Sequence, residues 1–323
     1  MAKATEEFLP GGFDPVYGIP PDLIRGPEGD VLPLSGEANW GMSKFDVPRL
    51  RDISDGTGVI VGVIDTGLDM THPEIAGKDV EAKDFTGAGS GSKDRNGHGT
   101  HVSGTVGSKN PAIGVAPGAG LRHGKGLGDS GSGRGDGIAA AMRWCVERGA
   151  KVLSMSLGSS GRDPNIDEAG TELTAAGILI CCAAGNSGGG TSQIDFPGRL
   201  PWAISVAALQ PSLDPASFSS AGEGIETAAP GTNIWSCRPG GGYQQMSGTS
   251  MATPFCAGVL ALYAACCIKL GKPLPTAADI QKILQSDSMD VHTPGVDRRA
   301  GPGAIWPLLL ANNLVDNPPV INA

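Results

Sequence analysis

Lys151-Val-Leu-Ser-Met-Ser156, a helical pattern over residues 165–176, and Ile178-Leu-Ile-Cys-Cys-Ala183 decide the fold. Two short apolar runs flank one amphipathic segment. Runs without polar alternation are strands covered on both faces, and strand–helix–strand alternation makes βαβ units with a parallel sheet. Working outward, Val59-Ile-Val-Gly-Val-Ile64 is a further buried strand. Residues 136–148 read as an amphipathic helix, with Ile138, Met142, Cys145 and Val146 on its apolar side and Gly149 as its stop. Residues 203–207 and 225–229 supply short strands, and 280–284 and 306–314 late helical pieces. The expected fold is α/β: a three-layer sandwich with a mainly parallel central sheet flanked by helices.

The 323 residues, 40% apolar, suffice for one large α/β domain or two small ones. The net charge of −9, with no Lys/Arg cluster, argues against nucleic acid and anionic membrane as partners. No apolar run reads as long enough to span a bilayer. Met1-Ala-Lys-Ala-Thr-Glu-Glu-Phe8 lacks the apolar core of a signal peptide. Seven cysteines, an odd count without Cys-x-x-Cys, predict a reducing, cytoplasmic setting and no zinc or redox motif. Residues 1–44 read as an extension, rich in Pro, Gly and acidic residues, with short apolar patches at Phe8-Leu9-Pro10 and Val31-Leu-Pro-Leu34. A domain over 45–313 and a tail over 314–323 complete the division.

Four polar residues stand at predicted strand ends or helix starts. Asp65 closes the Val59 strand, where α/β sheets place their sites. His98 lies in Asn96-Gly-His-Gly-Thr-His-Val-Ser-Gly-Thr105, near a helix start. His101 makes a His-x-x-His pair with it, but no Glu stands between them as in a zincin, so His101 reads as a packed structural histidine. Asn186 ends Ala183-Ala-Gly-Asn186. Ser250 lies in Met246-Ser-Gly-Thr-Ser-Met-Ala-Thr-Pro-Phe-Cys256, a turn entering an apolar helix, where backbone N–H groups lack intrahelical partners. Together they have the parts for acyl transfer. Ser250 is the candidate nucleophile, His98 its base and Asp65 the group that orients the imidazole. The Asn186 side chain and the Ser250 N–H are candidate oxyanion donors. The Gly-rich stretch Leu127-Gly-Asp-Ser-Gly-Ser-Gly-Arg134 offers backbone to an extended peptide.

Val63-Ile-Asp-Thr-Gly67, Asn96-Gly-His-Gly-Thr-His-Val102 and Gly248-Thr-Ser-Met-Ala-Thr-Pro254 resemble the blocks of the subtilisin-like serine peptidases. Ser154-Met-Ser-Leu-Gly158, Phe196-Pro-Gly198 and Ala229-Pro-Gly231 fit the same family, whose intracellular members the chain resembles most. The resemblance implies an Asp65–His98–Ser250 triad with Asn186 as oxyanion donor, acting on protein or peptide substrates without a cofactor. It implies that Ser130, Gly131, Ser132 and Gly133 on one side, and Ser156, Leu157 and Gly158 on the other, sandwich the substrate backbone. By the same resemblance Asp195, just ahead of Phe196-Pro-Gly198, is expected at the base of the pocket for the residue before the scissile bond. Glu74 stands where many relatives ligate a structural calcium, and Phe8-Leu9-Pro10 loosely resembles a short inhibitory motif. A homodimer is a further implied option. Two other readings stay open: a dedicated processing peptidase or transpeptidase, and an inactive peptide-binding module with the same fold.

Overall fold

The structure, a computed structural model, describes residues 15–19, 23–30, 39–190, 193–312 and 314. β1 (Val16–Gly18), β2 (Ile24–Gly29), α1 (Gly41–Lys44) and α2 (Val47–Ile53) come first. β3 (Ile60–Asp65), β4 (Val80–Asp84), α3 (His98–Gly107), β5 (Gly120–Lys125), β6 (Ser132–Arg134) and α4 (Gly135–Glu147) follow. Then come β7 (Val152–Met155), α5 (Pro164–Ala175), β8 (Leu179–Ala183), β9 (Ile204–Leu209) and β10 (Thr227–Pro230). The hairpin β11 (Ile234–Cys237) and β12 (Tyr243–Ser247) leads into α6 (Thr249–Lys269), α7 (Ala277–Asp287) and α8 (Pro307–Asn312).

The central sheet has seven strands in the order β10-β9-β8-β7-β3-β5-β4. Every pairing in it is parallel. This is the expected α/β sandwich, and the two-residue period of a strand explains its layers. On β3, Val61 and Val63 join the core formed with α3 and α6, while Ile64 joins the core formed with α4 and α5. Trp40, Met42 and Phe45 pack into the first of these cores, so its packing begins within residues read as extension. Helix starts follow local chemistry. Asp163 accepts N–H bonds from Asn165 and Ile166 with Pro164 next in line, and Thr276 and Asp279 form a capping box on α7.

α6 corrects one expectation. With 21 residues and a mean hydropathy of 1.9 it is long and apolar enough to cross a membrane, yet 94% of that window is buried inside the molecule. Its apolar surface is spent on β7 to β10 and α3, the role of a core helix. β5 also went unread. Every residue of Gly120-Leu-Arg-His-Gly-Lys125 is buried, but three are basic and satisfied locally, so no apolar run marks the strand. The Arg122 guanidinium, for example, lies 3.0 Å from Asp79 and 3.4 Å from Glu81.

Candidate active site

β3 delivers Asp65 at its carboxyl end, and α3 delivers His98 as its first residue. Both side chains are fully buried, and His98 Nδ1 lies 2.8 Å from Asp65 Oδ1. The same Oδ1 accepts the Thr66 N–H at 2.7 Å, while Oδ2 is buried with no hydrogen-bond partner. Helix and strand end approach closely because Gly99 has no side chain: a Cβ there would lie 2.3 Å from the Gly67 carbonyl oxygen.

α6 delivers Ser250 as its second residue. Pro254 lies four residues on and has no N–H to donate to the Ser250 carbonyl. Ser156 Oγ fills that vacancy, donating to the Ser250 carbonyl at 2.9 Å. Ser250 Oγ itself contacts the Ser156 carbonyl at 3.5 Å, a long bond. His98 Nε2 is buried and makes no hydrogen bond, so the structure joins Asp65 to His98 but leaves the His98–Ser250 bond unmade. Catalytic hydrogen bonds of resting enzymes are often long and tighten only around substrate.

Asn186 is oriented by its neighbours. Its Oδ1 accepts the Thr249 N–H at 3.0 Å and the Thr249 hydroxyl at 2.8 Å. The amide is thereby fixed so that Nδ2 faces the other way, and Nδ2 is buried with no partner. A Cβ on Gly248 would sit 3.2 Å from this Nδ2 and 3.6 Å from the Ser250 nitrogen. Two nitrogen donors thus lie close to the bare face of Gly248, with Leu23 Cδ1 at 3.1 Å from the same point. An anionic oxygen placed there would take both.

Two residues that hold this geometry escaped the sequence reading. Asp94 binds the Asn96 and Gly97 N–H groups and the Thr66 hydroxyl through Oδ1, and the Thr100 N–H through Oδ2. It ties the start of α3 to the turn after Asp65. Its signal was its place just ahead of Asn96-Gly-His, a helix-entry carboxylate. His123 lies behind the pair: its Nε2 accepts the Gly67 N–H at 3.1 Å and its Nδ1 meets Ser103 Oγ at 2.9 Å. Burial pulls its pKa down to about 4, so it is a neutral acceptor. His101 is structural, as expected. Its Nε2 lies 3.1 and 3.0 Å from the carbonyls of Ile234 and Gln244, and burial lowers its pKa to about 3.

The two backbone segments expected to hold substrate stand on either side of a strand of this same chain. β1 pairs antiparallel with β6, Tyr17 opposite Gly133. Gly18 exchanges bonds of 3.1 and 2.9 Å with Gly158, and the Ile19 N–H reaches the Gly131 carbonyl at 3.0 Å. Ser130 is exposed on the preceding turn and makes none of these bonds, whereas Arg134 does pair, so this side of the slot runs from Gly131 to Arg134. Tyr17 is fully buried, packs in one apolar cluster with Ile138 and Leu157, and donates its hydroxyl to the Gly161 carbonyl at 3.0 Å. On the far side of Ser250, β2 pairs antiparallel with β12, Ile24 opposite Ser247. Leu23 Cδ1 would lie 3.1 Å from a Cβ on Gly248. The strand that pairs with both segments is Val16–Gly18, and the Phe8-Leu9-Pro10 expectation lies outside the described residues. Asp195 sits beside Gly158 and Gly185.

The Glu74 Oε1 accepts the Tyr243 hydroxyl at 2.8 Å and its Oε2 faces Ser108 Oγ at 3.4 Å. Burial and the Glu74 carboxylate push the Tyr243 pKa to about 12, which keeps that hydroxyl a donor. Among the described residues, no three His, Cys, Asp or Glu side chains converge to hold a metal. The two carboxylate oxygens each meet a hydroxyl, and Glu74 belongs to no such cluster.

A parallel sheet carrying an Asp–His pair at one strand end, with a serine at the start of the central helix, defines a recognisable class. The model of the peptidase S8 or subtilase family matches residues 56–303, and the chain belongs to that family. It is 39% identical over 239 residues to M-protease of Shouchella clausii (strain KSM-K16), covering 73% of this chain and 62% of that protein. It is 39% identical over 232 residues to an intracellular serine protease of Paenibacillus polymyxa, covering 69% of this chain and 71% of the relative. Subtilisin Savinase of Lederbergia lenta is 40% identical over 227 residues, 69% of this chain and 82% of its own. The match spans less than two thirds of the length of M-protease.

Proposed function

We propose that the protein is a serine endopeptidase that hydrolyses protein or peptide substrates through an acyl-enzyme, and that its own N-terminal strand occupies the cleft in the state described. The observation that carries the first half is the unpartnered Asn186 Nδ2 lying, with the Ser250 nitrogen, close to the bare face of Gly248. A buried donor without a partner costs free energy, and a tetrahedral oxyanion recovers it. In this reading Ser250 Oγ attacks the scissile carbonyl while His98 Nε2 takes its proton. Asp65 Oδ1 holds His98 with its proton on Nδ1 and stabilises the imidazolium. His98 then protonates the leaving amine, and water releases the acyl group by the same path. No cofactor enters any step. An inactive binding module has no use for an oriented, unsatisfied donor at this point.

Digestion of a mixed peptide library by the pure protein, with the products sequenced, tests the reading. Internal cleavage of many peptides supports an endopeptidase, and cleavage of one sequence alone supports a dedicated processing enzyme. No cleavage by any variant with an opened cleft contradicts both. Asn186→Ala is expected to lower kcat about 10²–10³-fold with KM nearly unchanged, a magnitude measured on subtilisin itself. An effect confined to KM would mean that Asn186 contacts ground-state substrate.

The occupied cleft motivates a further expectation. Burying one aromatic side chain such as Tyr17 contributes roughly 1.5–3 kcal/mol to docking. Tyr17→Ala is then expected to raise kcat/KM for a small peptide by roughly 10- to 100-fold as the strand undocks more often. The sequence after Ile19 continues Pro20-Pro21, which offers no N–H to a strand. Equal kcat/KM for Tyr17→Ala and the unmodified chain would make β1 a plain structural strand.

An intracellular location is part of the proposal. All seven cysteines are buried free thiols, a pattern of reducing compartments, and one relative is named an intracellular protease. Expression with labelled fractions of cytosol and medium checks it. Finding the protein chiefly in the medium contradicts it.

A further inference from the structure

We propose that Asp195, set between the substrate slot and the oxyanion donor, makes this enzyme select arginine or lysine as the residue before the scissile bond. The proposal rests on the peptidase reading above. A Cβ on Gly158, in the slot strand, would lie 2.9 Å from Asp195 Oδ2. A Cβ on Gly185, the neighbour of Asn186, would lie 2.5 Å from it. The carboxylate therefore fills a gap that two missing side chains leave open. The Asp195 N–H is tied to the Ala184 carbonyl at 2.9 Å, and Phe196 exchanges two bonds of 2.9 Å with Ser159, which fixes both walls. In this proposal the side chain of the residue before the scissile bond lies against this carboxylate, which borders Gly158 of the slot on one side and Gly185, next to Asn186, on the other.

The electrostatics favour a cationic occupant. Burial pushes the Asp195 carboxyl up to about 6, and Arg199, four residues on, draws it down by less. The residues beside it on other elements, Gly158 and Gly185, carry no charge, and among the described residues Arg199 is the one charged group that acts on it. The Arg199 guanidinium lies 5.0 Å from the Phe196 ring centroid, on the outer wall. Among the described residues no hydrogen bond is donated to the Asp195 carboxylate. A partly desolvated carboxylate in this position gains a charge-assisted bond from lysine and a two-pronged one from arginine. An apolar side chain would strip water from it and give nothing back.

The test measures kcat/KM of the full chain on matched peptides carrying Arg, Lys, Phe or Leu at that position, with Asp195→Gly and Asp195→Asn alongside. Fluorophosphonate titration counts active sites in each sample. The expected Arg-over-Phe ratio is roughly 10- to 100-fold in the unmodified chain and near or below one in both variants. The ratio is also expected to fall between about pH 8 and about pH 5, because Asp195 takes up a proton below its raised pKa of about 6 and loses its charge. Taking the ratio cancels any pH effect common to both peptides. Preference for Phe in the unmodified chain overturns the proposal. So does an unchanged ratio in Asp195→Asn, the result expected if Arg199 neutralises the carboxylate. In either case labelling and cleavage would persist, leaving the peptidase reading intact; a chain that neither labels nor cleaves would overturn that reading first.

Discussion

Ser250→Ala is expected to lower the turnover rate for peptide hydrolysis by on the order of 10⁶ while leaving the fold unchanged, a magnitude measured on subtilisin itself. The removed oxygen makes one contact, the 3.5 Å bond to the Ser156 carbonyl, which is too long to hold much stability. The Ser250 carbonyl keeps its bond from Ser156 Oγ, so the start of α6 stays anchored. Asn186 keeps both bonds to Thr249. What is lost is the only atom that can form the acyl intermediate. A residual rate about 10³–10⁴ above water is expected from the oxyanion donors and from substrate binding. Measuring kcat and the melting temperature together separates chemistry from folding. Near-normal turnover by Ser250→Ala, with contamination excluded, would place the nucleophile elsewhere.

Asp65→Asn is the second large effect, an expected loss of about 10⁴ in kcat with little change in KM. Asp65 Oδ1 accepts two donors, the Thr66 N–H and His98 Nδ1. An asparagine NH2 at this position would face donors with a donor and force His98 into the wrong tautomer. The flipped amide keeps the tautomer but buries NH2 where Oδ2 now finds no partner, and it carries no charge to stabilise the imidazolium. Stability should respond differently from activity. The substitution removes a buried charge with one unsatisfied oxygen, so the melting temperature is expected to stay within roughly 2–4 °C, the shift that ~1 kcal/mol gives in a large domain. A loss of kcat below about tenfold would show that Asp65 does not govern His98.

The legible parts of the fold share one property: their burial is written in apolar side chains. β7, α5 and β8 read directly because Val152, Leu153, Ile166, Leu179 and Ile180 bury apolar surface. β5 did not, because its burial is achieved with partners rather than with apolar chemistry. Lys125 is fully buried with its ammonium on the Thr66 and Lys93 carbonyls and on Asp129 at 2.7 Å. β12 was hidden in the same way by Gln244 and Gln245. At the site, Asp65, His98, Asn186 and Ser250 each stand in a short local motif, one block for each residue. Asp94 and His123 act through contacts 28 and 56 residues apart in sequence, which no local pattern contains. β1 and β2 stayed unread because neither carries an apolar period of its own: β1 takes its register from β6 and Gly158, and β2 from β12. A second short apolar-proline stretch stands at Tyr17-Gly18-Ile19-Pro20, and its first two residues pair with β6.

The central claim is that Ser250 is an activated nucleophile held by Asp65 and His98. The most direct measurement is to treat the full chain and its Tyr17→Ala variant with a fluorophosphonate and to map the adduct by mass spectrometry. The account predicts one phosphonylated residue, Ser250, formed faster in Tyr17→Ala and slowed by Asp65→Asn. No adduct in Tyr17→Ala, or an adduct on another serine, would contradict it.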